Sequence, residues 1–219
     1  MCFFQEYQES KKMNKIILCV CFLIATPLLQ AKEWAFDVYL DKSKIGSHTF
    51  TLNDNTLTSK AKFNVKVLFI EAYKYDHSAK EQWQGDCLAG LDAHTVENKV
   101  TTDVKGDSSG GAFQLIPARA SIKFPSCVMT FAYWNPKILD QKQLLNPQNA
   151  EYLNTTVEKQ ANEIIMVKGK STETTHYKLK GALEGKNKLN IELWYNKDND
   201  WVALKSVTLE GYNIIYKLK

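Results

Sequence analysis

The chain has 219 residues, 24% of them charged, and a formal net charge of +4. Its basic residues are scattered and, apart from Arg119, are all lysines, which blunt exposed sheet edges more often than they form a nucleic-acid-binding patch. This length and charge suit one globular domain and exclude a protein that works mainly by binding nucleic acid.

The first predicted element is an export signal. Residues 16–29 are apolar and uncharged, and lysines precede them. Gln30 and the small residue Ala31 follow this stretch. This pattern is typical of a secretory signal peptide that is cleaved after Ala31. Its apolar part is too short to cross a bilayer, which takes roughly 20 helical residues. The sequence therefore predicts a signal peptide over residues 1–31 and a periplasmic or secreted protein that does not span the membrane.

Met13 is the better start of this signal. The residues before it add Glu6 and Glu9 to a region that normally carries only positive charge. After cleavage, residues 32–219 remain and predict a single β-rich domain.

Two cysteines, Cys87 and Cys127, remain after cleavage. An even number of cysteines in an oxidising compartment predicts one disulfide. On the chain-entropy model, closing this loop stabilises the fold by roughly 4 kcal/mol. A metal pair or a redox pair is the alternative, but neither cysteine has a second Cys or a His two to four residues away.

The first half of the domain alternates apolar and polar residues with the period of two that strands show. The apolar series run from Trp34 to Leu40, through Phe50 and Leu52, from Phe63 to Phe69, and on through Tyr73, Tyr75 and His77. Residues 41–46 are predicted to form the first turn. The alternation breaks near Glu71, which predicts either one long bent strand or a tight pair of strands.

The same alternation returns late in the chain, with turn residues between the series. The predicted turns are Gly85-Asp86, Asn98-Lys99, residues 107–111, residues 196–200 and Glu210-Gly211. Short strands at spacings of about 10 residues favour an antiparallel meander. We therefore predict an all-β fold, a meander that forms a strongly curved sheet or a partly open barrel.

Residues 127–148 interrupt this pattern. Asn135 is a plausible N-cap, Pro136 fits the first helical position, and Asn146-Pro147 is a plausible stop, which predicts one short helix over 136–145. A lone helix in a meander must lie across an opening or a sheet face, so we expect it to plug or cover the sheet.

Several motifs resemble a family of uncharacterised exported bacterial proteins. They are WAFDVYLDKSKIG at Trp34 to Gly46, VKVLFIEAYKYDH at Val65 to His77, EQWQGDCLAGLDAHT at Glu81 to Thr95, CVMTFAYWNP at Cys127 to Pro136 and LLNPQ at Leu144 to Gln148. The resemblance implies an exported single domain and carries no activity with it. Residues 193–211 resemble, more distantly, the last strands of LolA-type periplasmic lipoprotein carriers, an analogy of architecture alone.

His77 and Glu81 are the polar candidates, because they share one strand face with Tyr73, Tyr75 and Trp83. Residues four apart in a strand are roughly 13 Å apart, so these two cannot share a metal ion in an extended segment. They are better interpreted as the polar end of a buried aromatic stripe, and we predict no metal site.

The remaining histidines, His48, His94 and His176, fall on polar or intermediate positions of separate strands, and most of them are predicted to lie on the surface. No Gly-x-Ser-x-Gly elbow or phosphate loop is present, and residues 108–111 are better explained as a hairpin tip. The sequence therefore predicts no catalytic residue and no cofactor.

The aromatic content suggests a ligand cavity between the sheet and the predicted helix, since pockets in barrel mouths are mostly apolar. The predicted lining residues are Phe63, Val65, Val67, Phe69, Tyr73, Tyr75, Phe131, Tyr133 and Trp134. The alternative is that these side chains simply fill the core.

The resulting hypothesis is a non-catalytic binder or carrier of an apolar ligand, such as a lipid or acyl chain, which movement of residues 131–145 would release. A structural or assembly partner protein of the envelope is the alternative, and an unrecognised hydrolase is a third, less favoured interpretation.

Overall fold

The computed structural model describes residues 31–67, 70–117, 124–208 and 211–219. Nearly all of the predicted signal peptide lies outside the described residues, as does Phe69. Only the backbone of Val67 is described.

The described residues form fourteen strands and one short 3₁₀ helix. The strands are β1 (Lys32–Leu40), β2 (Ser43–Asn53), β3 (Thr56–Val67), β4 (Ile70–Gln84), β5 (Cys87–Glu97), β6 (Val100–Asp107), β7 (Gln114–Ile116), β8 (Gln143–Leu145), β9 (Tyr152–Lys159), β10 (Glu163–Val167), β11 (Lys170–Leu183), β12 (Lys186–Asn196), β13 (Trp201–Val207) and β14 (Asn213–Leu218). The pairing within the sheet is antiparallel throughout. The predicted all-β meander is confirmed.

The two ends of the domain meet in the middle of the sheet. Strands β7 to β1 lie side by side, β1 pairs with β14, and the order continues through β13, β12, β11 and β9 to β8. Phe36 in β1 lies opposite Leu218 in β14. Strand β10 pairs with β11 beside β9. The sheet is barrel-like but, in the described part of the chain, no strand pairing joins β7 to β8.

The series around Glu71 proves to be a tight pair of strands, β3 and β4. The first turn is shorter than predicted, because the strand resumes at Ser43 and includes Gly46. A Cβ atom on Gly46 would lie 1.9 Å from the backbone oxygen of Lys62 in β3. Glycine is needed here for a close approach of two strands rather than for a turn.

The predicted helix is shorter than expected. Asn135 caps a 3₁₀ helix, Pro136–Asp140, by accepting a hydrogen bond from the Lys137 backbone N–H. Beyond it, Gln143–Leu145 form β8 instead of further helix. Leu144 and Leu145 are fully buried and pair with β9, so strand pairing takes precedence over helix continuation there.

The core lies between the inner face of the sheet and residues 127–148, which we call the covering segment. Its buried side chains include Val128, Met129 and Ile138, so the segment is part of the core rather than a loop laid over it. A smaller cluster fills the inner face near Phe63. Among the described residues, no helix has the length and apolar character needed to cross a membrane.

Candidate functional site

The covering segment is bonded to β5 near its start and is continuous with the sheet through its own strand β8, which pairs with β9. The predicted disulfide joins Cys87 at the start of β5 to Cys127. The Leu88 backbone N–H donates to the Val128 carbonyl at 2.8 Å, and the Leu145 N–H donates to the Met129 carbonyl at 2.9 Å. The segment is therefore held at its start by β5 and at its end by the edge of the sheet at β9.

Two side-chain bonds fix the middle of the covering segment. The Asn135 side-chain amide donates to Asp86 Oδ1 at 3.0 Å, in the turn before β5. The Tyr195 hydroxyl, from β12, donates to the Tyr133 carbonyl at 2.8 Å. These bonds hold the aromatic residues 131–134 against the sheet.

Small side chains on the sheet leave space beneath this segment. Register aligns His48, Ala61 and His77 across β2, β3 and β4, and the next row places Phe50, Ser59 and Ala79 side by side. Directly opposite residues share a sheet face, so larger side chains surround the small ones at Ser59 and Ala79.

The space is a cavity of about 70 Å³ between β2–β4 and the covering segment. It is lined by His48, Phe50, Leu57, Ser59, His77, Ala79 and Glu81 from the sheet, by Phe131 to Trp134 and Asn146 to Gln148 from the covering segment, and by Leu189. A water molecule takes about 10–15 Å³ of such space, so a group of about five non-hydrogen atoms fits.

Glu81 is the most unusual residue of this wall. Its side chain is 4% exposed, between Leu57 and Leu91 on the neighbouring strands. Burial raises the pKa of Glu81 to about 7, and the side chains of Thr130 and Trp83 oppose that shift only in part. No charged side chain of the described ranges contributes to the shift.

Several polar atoms around Glu81 lack partners. Glu81 Oε2, Trp83 Nε1, Thr130 Oγ1 and Trp134 Nε1 are all buried without a hydrogen bond to any described residue. Thr130 and Trp83 lie close enough to the carboxyl group to favour its charged form as weak donors, without reaching the geometry of a full hydrogen bond. Buried polar atoms without partners are uncommon in proteins, and two of these four, on Glu81 and Trp134, belong to residues that line the cavity, which indicates a binding site.

His48 and His77 form the other polar part of the wall. His48 Nε2 lies 2.8 Å from Ser59 Oγ and its Nδ1 lies 3.2 Å from the Tyr216 hydroxyl. His77 Nδ1 lies 2.8 Å from Thr95 Oγ1. Burial lowers the pKa of His48 well below its usual range and the pKa of His77 to about 4, so both rings are neutral at pH 7.

The predicted lining residues fall into two groups. Phe131, Tyr133 and Trp134 line the cavity. Phe63 and Tyr75 instead stack on each other at 5.1 Å in the smaller cluster of the inner face. Val65 and Tyr73 pack partly buried against that cluster. Phe69 lies outside the described residues, and no side chain is described for Val67.

Of the three remaining histidines, His48 lies on the inner face and lines the cavity, whereas His94 and His176 lie on the outer face. His48 is 9% exposed, and the His176 side chain is 12% exposed, while His94 is exposed as predicted. His48 has the same parity in β2 as Phe50, which is the signal that could have placed it inside. Parity already places Trp83 beside Glu81 in β4, but nothing in the sequence pattern indicates that Thr130 lies there.

Strand β4 runs extended through His77 and Glu81, as the sequence indicated. Among the described residues, no group of three His, Cys, Asp or Glu side chains is arranged to hold a metal ion.

The comparisons with known proteins concern the fold and the family. A family model described as "Domain of unknown function (DUF6134)" matches residues 36–219. Among solved structures, the chain is similar to a beta-barrel-like protein of the domain of unknown function DUF1849 from Brucella abortus, with 14% identity and a TM-score of 0.58 over 85% of this chain and 94% of that one. At this identity the likeness shows the fold alone. No curated protein matches the sequence.

Proposed function

Because the chain belongs to DUF6134, a family of domains of unknown function, we propose its function from the geometry of its cavity: it is a non-catalytic, extracytoplasmic protein that binds a small ligand between β2–β4 and the covering segment. The supporting observation is the cavity itself, with aromatic residues of the covering segment on one wall and the unpartnered Glu81 oxygen on the other. Such a mixture of apolar lining and few polar groups is typical of ligand sites.

The volume bears on what the ligand can be. Sites for drug-sized molecules measure about 300–1,000 Å³, several times the cavity of about 70 Å³. A whole acyl chain therefore requires the covering segment to move, which would expose Ile138, Leu144 and Leu145 from full burial. Exposing each such side chain costs about 1.5–3 kcal/mol. A compact ligand, or one small group of a larger ligand, suits the cavity better than a lipid tail.

The polar residues favour binding over hydrolysis. His48 and Ser59 lie at hydrogen-bond distance, as a base and a nucleophile would. However, burial lowers the pKa of His48, so this imidazole is a weak base at neutral pH. Within the described residues, neither His48 nor His77 makes a hydrogen bond with Glu81.

The disulfide supports an extracytoplasmic compartment, because structural disulfides persist where conditions are oxidising. Together with the apolar segment at residues 16–29, this supports the periplasm or the exterior as the working location.

Native mass spectrometry of the protein isolated from its own compartment tests this proposal. We expect a bound small molecule that is released on denaturation, and absent from a Ser59→Leu variant, whose larger side chain fills the cavity floor. The matched control is Ser78→Leu, on the opposite face of the sheet. A bare protein mass after gentle isolation of the unaltered protein or of Ser78→Leu would contradict the proposal.

An envelope assembly partner is the second candidate function, and strand β10 favours it. Ile164 and Met166 are 72% and 66% exposed in this short strand, which pairs with β11 on one side. An apolar edge of this kind suits addition of a strand from another protein. Crosslinking from position 166 in cells would yield a specific protein adduct if this function holds, whereas crosslinking from position 134 would yield a small-molecule adduct under the first proposal.

A further inference from the structure

Glu81 provides information about the class of ligand, if the cavity is a binding site as proposed above. The carboxyl group is buried, faces the cavity and has an oxygen without a hydrogen-bond partner. The described residues that line the cavity include no lysine or arginine. A buried acid is normally paired with a cation from its own chain, and Glu81 has none among the described residues.

The aromatic residues around the cavity add a second feature. Trp134 lies 5.5 Å from Trp83 and 6.4 Å from Trp34, between ring centroids. Trp134, Tyr133 and Phe131 all line the cavity on the side of the covering segment. Aromatic faces attract cations, and clusters of such rings bind organic ammonium groups.

The other titratable groups on the wall supply no competing charge. His48 and His77 are hydrogen-bonded to Ser59 and Thr95 and are neutral at pH 7. Burial raises the pKa of Tyr133, so its hydroxyl is neutral as well. Glu81 is therefore the one acidic group that faces the cavity from the described residues.

We propose that the cavity binds the ammonium group of a small organic amine, with the Glu81 carboxylate as its countercharge and the aromatic residues of the covering segment against its alkyl and ammonium parts. The ammonium supplies the cation that Glu81 lacks and donates to its free oxygen. The indole N–H of Trp134 remains available for an oxygen on the same ligand. A ligand carboxylate, by contrast, would be repelled by Glu81.

The size of the cavity matches this class. Room for about five non-hydrogen atoms accommodates an aminoethanol-sized group. That group occurs both as a free amine and as the headgroup of an aminophospholipid, so the experiment has to separate the two sources.

The test uses two probes of equal size and different charge, ethanolamine and ethylene glycol. The indole N–H signals of uniformly ¹⁵N-labelled processed protein report binding by NMR at pH 8, where Glu81 is ionised. Ligands this small bind weakly, so a dissociation constant in the millimolar range is expected for ethanolamine. Ethylene glycol should bind roughly tenfold more weakly or worse, because it leaves Glu81 without a countercharge.

Glu81→Gln is the diagnostic variant, since it keeps the shape and removes the charge. It should abolish the preference for ethanolamine while the indole signals keep the dispersion of a folded protein. Glu192→Gln, which changes a carboxylate on the outer face, is the matched control and should leave the preference intact. If Glu81→Gln does not fold, the comparison of ethanolamine with ethylene glycol on the unaltered protein still decides the question.

Vesicles then distinguish the sources of the amine. Binding to phosphatidylethanolamine vesicles but not to phosphatidylglycerol vesicles identifies a lipid headgroup, whereas a response to ethanolamine alone identifies a free amine. Equal binding of ethanolamine and ethylene glycol would overturn the amine assignment and leave the proposed function standing. No response to either probe, together with a bare native mass, would overturn both.

Discussion

Two clusters of histidine and glutamate lie on opposite faces of the same sheet and behave differently. The inner cluster, His48, His77 and Glu81, is enclosed by the covering segment. Burial dominates there, which raises the pKa of Glu81 and lowers those of both histidines. Each group is driven toward its neutral form, and the glutamate is left without a countercharge from the described residues.

The outer cluster is His176, Glu163, Glu192 and Lys205, on β10 to β13. His176 Nδ1 lies 3.1 Å from Glu163 Oε1, its Nε2 lies 2.9 Å from Glu192 Oε2, and Lys205 Nζ lies 3.0 Å from Glu192 Oε1. Burial alone would raise the pKa of Glu192, but Lys205 and His176 more than offset it, so that the pKa is lowered.

The comparison shows that residue types alone do not identify a site. Both clusters combine histidine with glutamate, yet the outer carboxylate is charge-compensated within the chain and the inner one is not. A carboxylate whose charge is compensated within the chain is explained by the stability that its ion pairs give to the sheet. A buried carboxylate without a countercharge at a cavity indicates a cation from outside the chain, which is the basis of the amine proposal.

The largest expected effect comes from removing the disulfide that helps to enclose the inner cluster. Cys87→Ala with Cys127→Ala should lower the free energy of unfolding by about 4 kcal/mol, since the bridge closes a loop with a sequence separation of 40 residues. Denaturant titration of the double variant measures the loss. The reduced, unaltered protein is the control and should behave in the same way.

The same double variant should leave the outer cluster intact, because none of the ion pairs of that cluster involves Cys127 or the covering segment. A loss below about 1 kcal/mol would mean that the hydrogen bonds of Leu88 to Val128 and of Leu145 to Met129 hold the covering segment in place without the disulfide.

The second effect is a dependence of stability on pH that is specific to Glu81. The folded-state pKa is about 7 against an ordinary value of 4.5. The folded state therefore holds a proton that the unfolded state has lost between these two values, and stability falls as pH rises through that window. The total is about 3 kcal/mol, complete above pH 7.

Glu81→Gln removes this loss, so the variant should gain stability over the unaltered protein as pH rises from about 4.5 to about 7. His48 and His77, the other titrating groups of the wall in this range, are present in both proteins and cancel in the difference. Tyr133 also faces the cavity and does not ionise in this range. Urea titrations at several pH values measure the difference, and a difference that stays flat with pH would refute the buried, unpaired state of Glu81.

Much of the fold could be predicted because alternation reports directly which side chains are buried. In β1, Trp34, Phe36 and Val38 are all buried, and Ala35 and Asp37 between them are not. The pattern failed at β10, where Ile164 and Met166 are exposed in a short edge strand. It also failed at β8, because no local sequence signal indicates that β8 pairs with β9.

The site was less predictable, because it depends on contacts between distant segments. Parity placed His77 and Glu81 on the inner face, and composition singled out Tyr133 and Trp134. However, the position of Thr130 beside Glu81 depends on the path of the covering segment. The disulfide and the backbone hydrogen bonds set that path. A period of two reports faces of a strand and says nothing about which segment covers them.

The smallest effect concerns the outer cluster and tests whether compensation by the chain is what separates it from the inner one. Lys205→Met keeps most of the length of the side chain and removes its charge, which leaves Glu192 with His176 alone. The loss of stability should be at most about 1 kcal/mol and should shrink in high salt, as for other partly exposed ion pairs. Lys180→Met, beside Glu158 at 3.9 Å and more exposed, is the control and should change nothing measurable.

The informative readout of Lys205→Met is the pKa of Glu192, followed by NMR titration of its side chain. With Lys205 gone, the effect of burial is opposed by His176 alone, so the pKa of Glu192 should rise toward the behaviour of Glu81. An unchanged pKa would mean that solvent rather than Lys205 stabilises the outer carboxylate. In that case exposure, and not the presence of a countercharge, would distinguish the two clusters.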